Sequence, residues 1–184
     1  MPTADFTVRP AREGDLPAIT DIYRPAVVSG TASFELDPPD VAEMRRRWEA
    51  ITRAGYPYFV ADRAGEILGY AYASAYRTRP GYRFTVEDSI YVRQDTQGSG
   101  VGKRLLSALV SQCTAQGFRQ MIAVIGDSRS YGSITLHRSL GFSFIGTIHA
   151  VGFKHGRWLD SVLMQRALGP GESALPDSDP QMTR

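Results

Sequence analysis

Glu87-Asp88-Ser89-Ile90-Tyr91-Val92, then Arg93-Gln94-Asp95-Thr96, then Gln97-Gly98-Ser99-Gly100-Val101-Gly102-Lys103 form one continuous stretch. It passes from β-branched and aromatic residues, which suit a half-buried pleated strand, into a glycine turn. From Gly100 the apolar spacing becomes helical, with Val101, Leu105, Ala108 and Leu109 on one face and Gly117 as a C-terminal stop. Glycines at such a turn let the backbone approach an anion, and the first N–H groups of a helix carry positive partial charge. A pyrophosphate fits there, with Lys103 and Arg104 able to add cations.

Spacing narrows the choice. A Walker A loop would place glycine at position 97 and a hydroxyl residue after Lys103, where this sequence has Gln97 and Arg104. A dinucleotide fingerprint needs two residues between its last glycines, and only Val101 separates Gly100 from Gly102. What remains is Gln-x-x-Gly-x-Gly after a strand.

Outward from this stretch, the pattern is mixed α/β. Residues 6–9 alternate as a short strand, and Gly14-Asp15 offers an N-cap to a helix with Leu16, Ile19, Ile22, Tyr23 and Val27 on one face. Asp40 and Glu43 make a capping-box-like start for a second helix carrying Met44, Trp48 and Ile51 and ending near Gly55. Strands follow over 56–61 and 67–77, joined by the polar turn Asp62-Arg63-Ala64-Gly65-Glu66, and a third runs over 82–92. A strand over 118–125, a short helix over 130–140 and a closing hairpin, 142–153 with 158–165 around His155-Gly156, complete the chain. Residues 1–168 read as one domain. Residues 169–184, rich in Pro, Gly, Ser and Asp, read as a disordered tail that offers little apolar surface to offset the entropy of ordering.

Composition bounds the partners. The 184 residues carry a formal net charge of +2 with both signs interspersed, which is no footprint for nucleic acid. No apolar run approaches the roughly 20 residues of a membrane span, and the N-terminus lacks the basic and apolar regions of a signal peptide, so a cytoplasmic location is expected. The single Cys113 allows no internal disulfide, and His137, His149 and His155 show no metal-ligand spacing. No metal is expected.

Four motifs in order carry a resemblance. Besides the glycine turn after Ile90-Tyr91-Val92, they are Thr85-Val86-Glu87-Asp88-Ser89 leading into that strand, Ala123-Val124-Ile125-Gly126 with Ser133-Ile134-x-Leu136-His137-x-x-x-Gly141-Phe142, and Gly152-Phe153-Lys154-His155-Gly156-x-Trp158-x-Asp160. Together, over residues 6–166, the chain resembles the GNAT superfamily of acetyl-CoA-dependent N-acetyltransferases, in its phosphinothricin and methionine-sulfone branch. The resemblance implies an α/β GNAT fold: a central mixed, mostly antiparallel twisted sheet flanked by helices. It also implies a homodimer with the C-terminal hairpin near the contact.

Acetyl transfer to an amine needs a base, because an ammonium has no lone pair to attack with. The resemblance gives this role to Glu87, with alternation expected to turn Glu87 into the cleft and Asp88 to the other face. It implies that Ile90, Tyr91 and Val92 meet the acetyl-pantetheine arm through backbone groups near a β-bulge, and that Gly98, Ser99, Gly100, Val101, Gly102 and Lys103 hold the pyrophosphate. Ser130 stands where the family commonly has an asparagine on the pantetheine. His137 stands where many members have a tyrosine that protonates the departing thiolate; an imidazole can do this or simply pack.

On the substrate side the resemblance points to Phe34, Arg77, Thr78, Arg79, Glu87, Asp88 and Ser89, the arginines being suited to grip a carboxylate or phosphinate in two-point fashion. Lys154 is a further group that could approach a ligand, and Cys113 reads as structural. The acceptor expected is the α-amine of an amino-acid analogue such as phosphinothricin, methionine sulfoximine or methionine sulfone. A polyamine, an ordinary amino acid or a protein N-terminus would use the same chemistry, and a CoA-binding module without turnover is the alternative of another class.

Overall fold

The computed structural model describes residues 5–182. Its strands are β1 (Thr7–Pro10), β2 (Tyr58–Arg63), β3 (Glu66–Ala75), β4 (Thr85–Val92), β5 (Gln120–Gly126), β6 (Ser143–Lys154) and β7 (Arg157–Ala167), and its helices are α1 (Leu16–Val28), α2 (Val41–Arg53), α3 (Val101–Ala115) and α4 (Tyr131–Ser139). The strands form one sheet in the order β1-β2-β3-β4-β5-β7-β6. Only β4 and β5 run parallel; every other pairing is antiparallel, so the expected mixed sheet is the one observed.

Local chemistry explains most element ends. At the β2–β3 turn Ala64 and Gly65 have φ of 50° and 91°, a left-handed pair that matches the twist of a two-residue hairpin. His155 and Gly156, at 52° and 71°, do the same between β6 and β7. Asp40 caps α2 by accepting from the Glu43 N–H at 2.7 Å. Asp15, expected to cap α1, makes no such bond. A short 3-10 turn at Glu13–Asp15 precedes the helix, and the Asp15 carboxylate accepts from the Arg9 guanidinium and the Arg12 N–H instead. Another 3-10 turn, Pro80–Tyr82, delays the third long strand to Thr85 because proline has no N–H to give a ladder.

Two apolar clusters lie on opposite faces of the sheet. α3 packs Leu105, Leu106, Leu109 and Cys113 against Leu68, Ala71, Val86 and Met121 on one face. α1 and α2 pack Leu16, Ile19, Tyr23 and Met44 against Tyr58, Val60 and Tyr70 on the other. Full burial of one such aliphatic side chain is worth about 1.5–3 kcal/mol, so both layers contribute to stability by covering the two faces of the sheet.

Residues 169–182 form no helix or strand, yet they are attached to the body. The Gln181 N–H donates to the Gln116 carbonyl at 2.7 Å, Arg83 pairs with Asp179 at 2.6 Å, and Met182 lies against the α3 cluster.

Candidate active site

The parallel ladder between β4 and β5 runs only from Thr85/Gln120 to Asp88/Ala123. Beyond it the strands part, while β4 stays paired with β3 as far as Val92 and β5 stays paired with β7 as far as Gly126. The gap opens into a cavity of about 70 Å³ whose lining includes Ala32, Asp88, Ile90, Val124, Gly126 and His137. The β3–β4 register is unbroken over its whole length, so the expected β-bulge is absent. Divergence from β5 does the opening instead.

Parity along β4 decides which backbone groups face the gap. The Tyr76 N–H donates to the Thr85 carbonyl and the Arg93 N–H to the Leu68 carbonyl, so odd-numbered residues bond to β3. The Phe84 carbonyl accepts from Arg119 and Gln120, so even-numbered residues turn towards β5. Past Asp88 the backbone groups of Ile90 therefore face the cavity without a ladder partner, and those of Val92 turn the same way beyond its lining, whereas Tyr91, which also lines the cavity, gives its backbone groups to β3. Tyr91, expected at the acetyl-pantetheine arm, is thus in the cavity lining with its N–H spent on β3.

Side chains alternate the same way. Val86, Ile90 and Val92 pack on the α3 face, and Tyr91 packs with Tyr72 on the α1/α2 face. Asp88 shares the first face and lines the cavity, while Glu87 shares the second, half-buried beside Ser89 and Tyr72. The anticipated orientation, Glu87 into the gap and Asp88 away, is thus reversed for the cavity itself. The two carboxylates flank the gap from opposite faces. Burial first, and then the charge of Asp88, push the Glu87 carboxyl above its ordinary range.

Asp88 does not act alone. Its Oδ2 lies 3.0 Å from His137 Nε2, with the two side chains only 1% and 2% exposed, and Nδ1 of the same ring lies 2.8 Å from the Ser133 carbonyl. Burial by itself lowers the imidazolium pKa, but the Asp88 hydrogen bond and charge, helped by Ser133, outweigh it and leave His137 raised. The ring also meets Phe142 edge-on at 5.0 Å. No local sequence signal announced the pair, because its members are 49 residues apart.

The glycine turn continues from the end of β4. Gly98 and Gly100 have φ of 77° and 89°, a region costly for residues with a Cβ. Gly102 is needed for packing, since a Cβ there would lie 3.1 Å from Leu136 Cδ2 of α4. The first intrahelical bond of α3 runs from the Arg104 N–H to the Gly100 carbonyl, so the N–H groups of Val101, Gly102 and Lys103 point out of the helix end. The Ser99 N–H is tied to the Thr96 carbonyl, and Arg104 stacks on Phe6 at 4.1 Å, leaving exposed Lys103 as the nearer cation.

The remaining predicted residues divide. Ser130 lines the cavity, but its hydroxyl donates to the Gly126 carbonyl at 2.7 Å and is left as an acceptor. Phe34 lies in the α1–α2 loop against Gly126 and Gly152. Arg77, Thr78 and Arg79 are exposed on the loop after β3, outside the cavity, with the Arg77 guanidinium over the Tyr76 and Tyr82 rings. Cys113 is buried, and burial with the nearby Asp88 charge pushes its thiol up to about 12, which removes it as a nucleophile.

Lys154 is not among the residues that line the cavity. Its buried ammonium donates to the Ser33 carbonyl at 2.7 Å and the Ala26 carbonyl at 3.1 Å, so it ties the α1–α2 loop to the β6–β7 hairpin. His155 Nε2 adds a contact to the Gly30 carbonyl at 3.1 Å. Asp127, at the end of β5, anchors the same region through Arg157 at 2.6 Å. Burial opposes its charge, but Arg157, the Arg129 N–H and Thr31 hold its carboxyl at about 2.

A folded-state pKa below the unfolded value gives stability that is complete above about pH 4 and lost as pH falls through the folded value. Asp127→Asn is therefore expected to lower Tm at neutral pH, by about 1–3 kcal/mol of stability, with the gap to the parent closing as pH approaches about 2. Thermal melts of both proteins across that range check this.

A strand that parts from its parallel neighbour, followed by a glycine turn into a helix N-terminus, defines a fold that can seat an extended arm in the gap and a phosphate group at its end. The sequence profile of the acetyltransferase (GNAT) domain matches residues 8–163, and the chain belongs to that family. It is similar to a phosphinothricin N-acetyltransferase of Alcaligenes faecalis, 53% identical over 93% of this chain and 87% of the relative. A methionine sulfoximine/methionine sulfone acetyltransferase of Pseudomonas paraeruginosa is 46% identical over 91% of this chain and 98% of its own. Among solved structures, a phosphinothricin acetyltransferase of Sinorhizobium meliloti in complex with acetyl-CoA superposes with a TM-score of 0.91 at 55% identity, covering 94% of each chain.

Proposed function

We propose that the protein transfers the acetyl group of acetyl-CoA to the α-amine of a small amino acid or analogue of the phosphinothricin, methionine sulfoximine or methionine sulfone type. The amine attacks the thioester directly. The observation that carries the reading is the parting of β4 from β5 beside the glycine turn, which offers backbone groups for a thioester arm and helix N–H groups for a pyrophosphate within one continuous element. The substrates named for relatives at 46% and 53% identity support the acceptor class.

In this reading Gly98, Gly100, Val101, Gly102 and Lys103 hold the pyrophosphate, Ile90 and Val92 meet the acetyl-pantetheine arm, and Ser130 accepts a bond from it. Glu87 takes the proton of the incoming ammonium. His137, on the other face of the gap, supplies a proton for the sulfur. Arg77 and Arg79, from the loop after β3, grip the acceptor's acidic group. The cytoplasm is the expected place of action for such an enzyme.

Following free thiol release with acetyl-CoA and a panel of amines tests the proposal. Phosphinothricin, methionine sulfoximine and methionine sulfone are expected to be acetylated, and polyamines to be poor acceptors. No release above background with any of the three overturns it. Strong preference for a cationic amine contradicts the roles of Arg77 and Arg79.

We also propose a homodimer formed through the β6–β7 hairpin. β6 is the terminal strand of the sheet and exposes Phe144, Ile145, Val151 and Phe153, with Trp158 beside them at 65% exposure. An exposed apolar edge of this kind is a ready template for a second chain. Sedimentation is expected to report a dimer for the parent and a monomer for the Phe153→Asp/Trp158→Ser double variant; a monomeric parent overturns it.

A further inference from the structure

Both ring nitrogens of His137 face acceptors. The Ser133 carbonyl at 2.8 Å has no proton to offer, so Nδ1 carries a hydrogen. At the 3.0 Å contact between Nε2 and Asp88 Oδ2, a second proton must lie between a nitrogen and an oxygen that would otherwise repel. Whichever atom it rests on, the pair holds one proton more than a neutral histidine beside a carboxylate.

The surroundings favour keeping it. The other oxygen of Asp88, Oδ1, is buried without a hydrogen-bond partner among the described residues. Removing the shared proton would leave a net negative charge in this apolar site, where an unpaired carboxylate is expensive. The titratable groups near the pair are Cys113 from α3 and Glu87, whose charge acts from the other face of β4; α4 adds the Ser133 hydroxyl, and the cavity-lining residues from β5 carry no titratable group. None of these is a cation that could replace the proton.

We infer that Asp88 and His137 form a proton-holding dyad whose shared proton neutralises the sulfur as the thiol leaves, with Asp88 as the positioning residue that keeps His137 loaded. This deepens the acetyltransferase reading above and rests on it. The amine nitrogen bonds to the acetyl carbon, and the carbon–sulfur bond breaks with its electron pair going to sulfur. The dyad's proton moves to that sulfur, directly or across one water. Of the two protons that the ammonium loses in becoming an amide, one passes to solvent through Glu87 and the other restores the dyad. Base and acid thus sit on opposite faces of one strand, as neighbouring residues of a pleat must.

The test starts with the unaltered protein, labelled with ¹⁵N-histidine, with His149→Gln and His155→Gln variants used to assign the ring signals. The ring of His137 is expected to change its protonation pattern at higher pH than an isolated imidazole, which titrates near about 6.5. In Asp88→Asn the change is expected at lower pH. That variant is also expected to lose kcat by about tenfold to a hundredfold, with its alkaline limb moved to lower pH and KM for the amine within about threefold.

A His137 ring that titrates alike in both proteins overturns the inference, as does an Asp88→Asn enzyme with unchanged kcat and pH profile. Should that variant not fold, the titration of the parent decides: a neutral ring below about pH 7 refutes the dyad. Failure of the base assignment looks different, since Glu87→Gln would then keep its rate while the His137 titration stayed as expected.

Discussion

Glu87→Gln is expected to lower kcat by about two to three orders of magnitude while the dissociation constant for acetyl-CoA changes by less than about threefold. The amide keeps the size of the side chain and its half-buried place on the α1/α2 face but cannot accept a proton. The cofactor segments, the Ile90 and Val92 backbone and the turn from Gly98 to Lys103, do not depend on it. Because burial and the Asp88 charge raise the Glu87 carboxyl, the parent enzyme's acid limb should lie above the ordinary carboxylate range. Stopped-flow rates and a binding titration separate the two quantities. Equal losses in rate and binding would contradict the base assignment.

Gly126→Ala is the second large effect. An added Cβ would lie 2.4 Å from the Thr31 carbonyl oxygen and 3.0 Å from the Phe34 ring. The first contact is with backbone, so the α1–α2 loop has to move, and Lys154 and His155 hold that loop by its carbonyls. Overpacking of this kind costs about 1–3 kcal/mol, which corresponds to a Tm loss of roughly 2–12 °C in a chain of this size. Since Ala32 and Phe34 belong to the same loop, KM for the acceptor should rise by about tenfold or more, and more than KM for acetyl-CoA. Gly152→Ala offers a comparison: its Cβ would lie 2.4 Å from Phe34 but touch only the ring, which can rotate away, so a smaller loss is expected. A Gly126→Ala protein with parental Tm and kinetics would show that the loop has slack the packing does not indicate.

The two variants touch different requirements of the reaction. Glu87 bears on the proton that must leave before the amine can attack, whereas Gly126 bears on where the amine is held. Between them lies the gap, lined by the strand backbone from one side and by Asp88 with His137 from the other. Each group depends on the parting of β4 and β5, because a continued ladder would fill that space with hydrogen bonds.

Much of this was legible in the sequence. The switch from β-branched residues to glycines to a helical period at 90–105 is local physics, and so is the Asp40 cap. The family could be read from four motifs because each is a short run whose spacing survives without knowledge of the fold. Alternation alone also required Glu87 and Asp88 to point opposite ways.

Which of the two meets the cavity was decided only in the tertiary structure. Side-chain parity is relative until helices cover the faces, and here α3 and α4 take the face of Asp88 while α1 and α2 take that of Glu87. The missing bulge, the pairing of Asp88 with His137 and the use of Lys154 as a tie between loop carbonyls share one cause. Each is set by contacts between segments far apart in the chain, and neither propensity nor spacing within a segment carries information about them.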